Sequence, residues 1–145
     1  MAYSIQVVVD SADAHTQADW WAETLGWVVE PTDQDFIAGL IEQGLAREED
    51  TIIHNGKRVW KTGAAICPAE EVGDRTRRRI LFQPVPEGKT VKNRVHWDVH
   101  VGDEDKDEVR ARLEARGATF LYAASQGPFD WYTMADPEGN EFCIS

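Results

Sequence analysis

Apolar and polar residues alternate most regularly between Arg94 and Asp103, RVHWDVHVGD, where Val95, Trp97, Val99 and Val101 interleave with His96, Asp98 and His100. Successive side chains of a strand point to opposite faces. The stretch therefore predicts one buried β-strand with a large apolar face and a second face carrying His, Asp and His. Three ionisable groups in a row cannot be buried unpaired, so that second face is predicted to line a cavity or a polar network. Tyr3 to Asp10 shows the same alternation, with Ile5, Val7 and Val9 against Gln6, Val8 and Asp10. After it, His15 to Leu25 places Ala18, Trp21, Ala22 and Leu25 at helical spacing. N-cap candidates precede that helix at Ser11 to Asp13, and Gly26 ends it.

A short strand is predicted over Trp27 to Pro31 and a second helix over Asp33 to Leu45, with Phe36, Ile37, Leu40 and Ile41 on its apolar face. Asn55-Gly56 between TIIH and KRVW predicts a tight hairpin over Thr51 to Trp60. Strands follow at Ala64 to Cys67 and Arg79 to Val85, separated by a charged loop. Pro84 to Asn93, with two prolines and a glycine, reads as a linker. Beyond the organising strand come a helix over Glu104 to Arg116, closed by Gly117, and a strand over Thr119 to Tyr122. A turn at Gln126 to Pro128, a strand over Phe129 to Ala135, a turn over Asp136 to Gly139 and a last strand over Glu141 to Ser145 complete the chain.

The two halves repeat one grammar. Gln6 and His96 stand 90 residues apart, as do Asp13 and Asp103, and Gly26 and Gly117 stand 91 apart. Each half is a β-α-β-β-β unit, the first carrying an inserted helix and hairpin between Asp33 and Trp60. Neither unit is large enough to close its own sheet over its own helix. With the LGW that follows the first helix, the KTVKNRVHWDV that opens the second half and the closing ADPEGNEFCIS, the chain resembles the vicinal oxygen chelate superfamily. It is most similar to the glyoxalase / bleomycin-resistance / dioxygenase branch. The resemblance covers nearly the whole chain. It implies an α+β fold in one domain, residues 1–145, with a first module over 1–88 and a second over 94–145. These form a curved, mixed sheet of eight strands with helices outside and a ligand cavity on the concave face.

In that superfamily a divalent metal is held by four side chains, two from each module. The resemblance puts those positions at Gln6 and Gln83 in the first half and at His96 and Cys143 in the second. The family places His, Glu or Gln there, and Cys143 departs from the usual Glu. A set of Gln, Gln, His and Cys offers at most one anion, the thiolate, whereas oxygen-selecting metals want carboxylates. Zinc accepts His and Cys but is poorly served by amides. The expectation is a cavity that kept the fold and lost the metal, with no cofactor; a divalent metal is the alternative. A shifted metal site from His96, His100 and a carboxylate such as Glu141 is a further variant. His96 with Asp98 orienting it forms the candidate acid–base pair, and the bland reading is a hydrogen-bonded polar row. Trp21 and Trp97 fall on core faces. Trp60, Phe82 and Trp131, beside Gln6, Gln83, His100 and Cys143, are the pocket candidates, a set suited to a flat or apolar ligand.

Composition narrows the partners. The 145 residues carry a formal net charge of -11, which opposes nucleic acid and anionic membrane surfaces. The one basic cluster, Arg75, Arg77, Arg78 and Arg79, is flanked by acids and reads as a solvated loop. No apolar run approaches the roughly 20 residues of a membrane helix. The N-terminus has neither the basic region nor the small-residue cleavage site of a signal peptide. Cys67 and Cys143, far apart in apolar contexts, read as reduced core thiols of a cytoplasmic protein. His15 and His54 read as surface residues. No Gly-rich phosphate loop, serine elbow or CxxC pair is present. The expected function is binding of a small organic ligand. The alternatives are a metal-dependent lyase, isomerase or dioxygenase acting on a vicinal-oxygen substrate, and a non-catalytic module that sequesters a drug or serves as a homodimeric structural partner.

Overall fold

In the computed structural model, which describes residues 1–145, Val7–Ser11 (β1) runs parallel to Ile80–Pro84 (β6), with Val7 opposite Ile80 and Asp10 opposite Gln83. β6 pairs antiparallel with Ala64–Cys67 (β5), and β5 with Val28–Val29 (β2), giving the sheet order β1-β6-β5-β2. One helix, Ala14–Leu25 (α1), covers it. The Asp13 carboxylate accepts from the Thr16 N–H at its start, and Gly26 turns left-handed at its end, at φ 66°. α1 packs on β5 and β6 through Ala14, Ala18, Trp21 and Ala22. Three alanines let the helix backbone approach the sheet, and Trp21 with Ile66 and Phe82 fills the space between.

The insertion predicted between Asp33 and Trp60 is a helix, Gln34–Glu42 (α2), and a hairpin, Thr51–His54 (β3) with Lys57–Trp60 (β4). Asn55 and Gly56 both have positive φ, 48° and 76°, as a two-residue hairpin turn requires. The hairpin is not part of the four-stranded sheet, and a lone hairpin is marginally stable in water. Polar clips hold it. Gln34 accepts from the Arg58 N–H at 2.9 Å and donates to the Arg58 carbonyl at 2.7 Å. His15 Nε2 lies 2.8 Å from the Trp60 carbonyl, and His54 Nε2 lies 2.6 Å from Asp19 Oδ2. His15 is buried and His54 half-buried, which corrects their expected surface position: helical spacing alone did not reveal that the hairpin covers this face of α1.

The second unit repeats the wiring. Trp97–Val99 (β7) is parallel to Glu141–Ile144 (β10). Phe129–Ala135 (β9) pairs antiparallel with β10 and with Thr119–Gln126 (β8). Its order, β7-β10-β9-β8, is that of β1-β6-β5-β2. Lys106–Ala115 (α3), capped by the Asp105 carboxylate, buries Val109 and Leu113, and Met134, Phe142 and Ile144 complete the core. The fold is α+β, and two tandem β-α-β-β-β modules are present, each with a four-stranded mixed sheet. By contact the chain divides into units Met1–Pro86 and Glu87–Ser145. No helix is long and apolar enough to cross a membrane.

Two strand expectations are corrected. The organising stretch forms only the three-residue β7, and Val95, expected on a buried face, is 75% exposed. β7 has a single neighbour, the four-residue β10, so its ladder is only as long as that partner. In the same way β1 begins at Val7, where its partner β6 begins, and Tyr3 and Ile5 are exposed.

Candidate functional site

The parallel register of β7 and β10 sets Asp98 opposite Cys143. The alternation of β10 turns Phe142 and Ile144 into the core and leaves Cys143 on the other face. His96, two residues before Asp98, joins that face. His96 Nε2 is 3.5 Å from Asp98 Oδ1, and the ligand-type atoms of His96, Asp98 and Cys143 all lie within 4.8 Å of one another. His96 and Asp98 are exposed, while Cys143 is buried. Burial pushes the Cys143 thiol above its ordinary pKa. The Thr133 hydroxyl, with Oγ1 3.5 Å from Sγ, works against this, and the Asp98 carboxylate adds to the rise. The group is therefore a neutral thiol at neutral pH. His100 Nδ1 lies 2.9 Å from Ser145 Oγ.

These side chains open onto a groove of about 690 Å³ in the second unit. It is lined by His96, Asp98, His100, Gly102, Cys143 and Ser145 and by Gln126, Pro128, Phe129, Asp130 and Trp131. Gln126 to Trp131 belong to the tip of the β8–β9 hairpin, turned at Gly127 with φ 58°. Phe129 is 72% exposed, an unusual place for a large aromatic side chain. Asp130 is ion-paired to Lys106, which ties the tip to the start of α3.

The closing DPEGNEF segment holds this arrangement. Asp136 is buried, and its Oδ1 accepts from the Glu138 and Asn140 N–H groups and from Asn140 Nδ2. Asn93 donates from Nδ2 to Asn140 Oδ1 at 2.8 Å and from its backbone to Glu141 Oε2 at 3.1 Å. Lys89 Nζ completes the cluster, 2.9 Å from Glu141 Oε1. Burial alone would raise the Glu141 pKa, but Lys89 and the backbone donors outweigh it and hold the carboxyl below its ordinary value. Glu141 is thus engaged in a structural ion pair. It does not line the groove, so the variant metal site built on it with His96 and His100 is not assembled.

The first-unit candidates lie elsewhere. Phe82, expected in the pocket, is fully buried beneath α1, because β6 turns Ile80 and Phe82 toward the helix. Trp60 ends β4, its carbonyl held by His15. Gln83 is exposed opposite Asp10. Gln6 precedes β1, and its Oε1 accepts from Arg79 Nη1 at 2.7 Å, in a cleft of about 240 Å³ lined also by Arg75, Thr76 and Arg77. The arginine cluster is less solvated than its sequence suggests. Arg77 and Arg79 both pair with Glu30, and Arg78 pairs with Glu71. Burial works to raise the Glu30 pKa, and the two guanidiniums outweigh it and lower it.

The family metal positions do not present a cation with its usual donors. Gln6 Oε1, the atom that would bind a cation, already accepts from a guanidinium, and Gln83 brings no charge. In the register of β1 and β6, the residue matching Cys143 is Leu81, because Val8 pairs with Leu81 as Asp98 pairs with Cys143. An oxygen-seeking divalent cation lacks its carboxylates at these positions, and the residues do not fit it.

Residues 6–145 match the family model described as Glyoxalase-like domain. The chain belongs to the glyoxalase-like family, within the vicinal oxygen chelate superfamily. Solved structures share the fold of this glyoxalase-like chain at low identity. Hypothetical protein SA1046 from S. aureus is 12% identical with a TM-score of 0.60, over 99% of this chain and 93% of that one. The fosfomycin resistance protein FosX from Listeria monocytogenes is 11% identical at 0.60, over 99% and 92%. The Leishmania major glyoxalase I, described as trypanothione-dependent, is 14% identical at 0.54, over 99% and 86%. No curated protein matches the glyoxalase-like chain.

Of the residues expected at a site, His96, Asp98, His100, Cys143 and Trp131 line this groove; Gly102 and Ser145 were not expected there, nor were Gln126, Pro128 and Asp130 of the hairpin tip. The signal for the tip residues lay in the QGPFDW turn, read as a connection rather than as part of a site.

Proposed function

We propose that this glyoxalase-like protein binds a small, flat organic molecule in the groove of its second unit, without the family's oxygen-seeking cation. The observation that carries the reading is that two aromatic side chains, Trp131 and exposed Phe129, and three polar ones, His96, Asp98 and His100, line one groove of about 690 Å³. Apolar lining with a few convergent polar groups is the usual make-up of a small-molecule site. Trp131 and Phe129 supply contact area, and His96 and Asp98 fix orientation by hydrogen bonds. Where the bound molecule carries an acidic C–H or O–H, His96 serves as the base and Asp98 orients its ring.

A thermal-shift screen of aromatic metabolites and antibiotics, run in chelator, tests the reading. A ligand at one hundred times its Kd raises stability by about 2.7 kcal/mol. Trp131→Ala is expected to weaken binding by roughly 1.5–3 kcal/mol. His96→Ala should weaken it while leaving the melting temperature of the free protein in place, because His96 is exposed. If His96→Ala mainly lowers that temperature, the polar row is structural and the reading fails.

A further inference from the structure

We infer that the arginine-lined cleft of the first unit is a site for a tetrahedral oxyanion of the phosphate class, held by Arg75, Arg77 and Arg79 with Ser4 and Gln6. The ligand is inorganic phosphate or the phosphate group of a small monoester. The site lies wholly within the first unit and does not depend on the organic-ligand reading of the second. The topology creates it. β1 and β6 run parallel with Val7 opposite Ile80, so the segments that lead into them, residues 4–6 and 75–79, meet at one end of the sheet. They enclose a cleft of about 240 Å³, and no carboxylate lines it.

Two of the guanidiniums are fixed in place. Glu30 accepts from Nε of both Arg77 and Arg79, Arg77 Nη1 donates to the Asp74 carbonyl at 2.8 Å, and Arg79 Nη1 donates to Gln6. Arg77 and Arg79 are only 24% exposed, and their Nη2 groups make no hydrogen bond within the chain. Because Gln6 Oε1 faces Arg79, its Nε2 is left as a donor. Arg75 is exposed and has neither an ion pair nor a hydrogen bond. Three guanidiniums thus meet one partner carboxylate, in a chain whose net charge is -11. Asp74 offsets part of this excess from outside the cleft, where it accepts from the Thr76 N–H at 2.7 Å and the Thr76 hydroxyl at 2.9 Å. Planar guanidinium forks suit phosphate oxygens, and forks already held by a carboxylate lose little freedom on binding. A carboxylate ligand has two oxygens to offer. A phosphate has more, and so can engage three separate guanidiniums together with the Ser4 hydroxyl and the Gln6 amide. Ile5 lines the same cleft and supplies apolar contact for the organic part of a monoester.

The test titrates inorganic phosphate into the full chain at fixed ionic strength, in a phosphate-free buffer, and follows the backbone amides by NMR. Saturable shifts are expected at residues 4–6 and 75–79. Sulfate, of similar shape and charge, should compete, and chloride at equal ionic strength should not. Arg75→Ala removes an exposed side chain without partners, so the fold should stand while phosphate affinity falls about 10-fold or more. Ser4→Ala should lower it about 3-fold. A parallel titration with glycerol phosphate separates the two sources: tighter binding than inorganic phosphate assigns the site to a monoester, and weaker binding assigns it to the free anion. Absence of saturable shifts, shifts confined to the second unit, unchanged affinity in Arg75→Ala, or chloride competing as well as sulfate would each overturn the proposal. Failure of the aromatic screen would leave these results untouched, because that screen reads the other unit.

Discussion

The two units share one wiring diagram and spend it differently. In each, the first strand runs parallel to the fourth, and the same three positions of that strand pair face away from the core. In the first unit they hold Gln6, Val8 and Leu81, and in the second His96, Asp98 and Cys143. The first unit's ionisable and amide groups are engaged in holding structure: Glu30 with Arg77 and Arg79, Gln6 with Arg79, His54 with Asp19, and His15 with the Trp60 carbonyl. The second unit places its structural polar contacts around Asp136 and along α3, where Lys106 pairs with Asp130 and Asp107 accepts from the Tyr132 hydroxyl, and leaves His96 and Asp98 facing the groove. A repeated fold thus sets where side chains stand, and side-chain chemistry alone decides which copy can act.

That contrast can be broken from either side. The largest effect belongs to the first unit's core. Phe82→Ala empties a fully buried position and is expected to cost about 3–5 kcal/mol in denaturant unfolding. Groove affinity should change little. A loss of binding without a loss of stability would return Phe82 to the pocket. Next is Asp136→Ala, which strands three donors in a buried turn and should cost about 1–3 kcal/mol. Here the groove should loosen as well, because the turn sets β10 and Cys143. The smallest effect is a pH response. The Glu30 carboxyl is held below its ordinary value, so its stabilisation is complete above the ordinary glutamate pKa of about 4.3 and is lost as pH falls through and below it. Melting curves between neutral and acid pH should show this limb in the natural chain and a flatter one in Glu30→Gln.

Much of this was legible in the residues. Asn55-Gly56 announced its hairpin because few residues tolerate two consecutive positive φ values. Asp13 and Gly26 bracketed α1 because caps are local chemistry. The 90-residue offset between Gln6 and His96 revealed the repeated module. Extents were less legible, because a ladder ends where its neighbour ends. Val95 alternates correctly and is still exposed, while Ala123 to Gln126 lacks a strand pattern and still pairs with β9. The sequence also set Gln83 as the first-half partner of Cys143. Counting through the arginine loop could not fix the β1–β6 register, which places Leu81 there. His15 and His54 are engaged by partners 45 and 35 residues away, contacts that no local pattern encodes.

The proposed organic-ligand chemistry resides in the second unit. Amide-resolved NMR, with the best compound from the thermal-shift screen titrated in chelator, measures this directly. The predicted shifts cluster at residues 96–102, 126–131 and 143–145. Shifts centred instead on Gln6, Leu81 and Gln83, with the second unit silent, would contradict it.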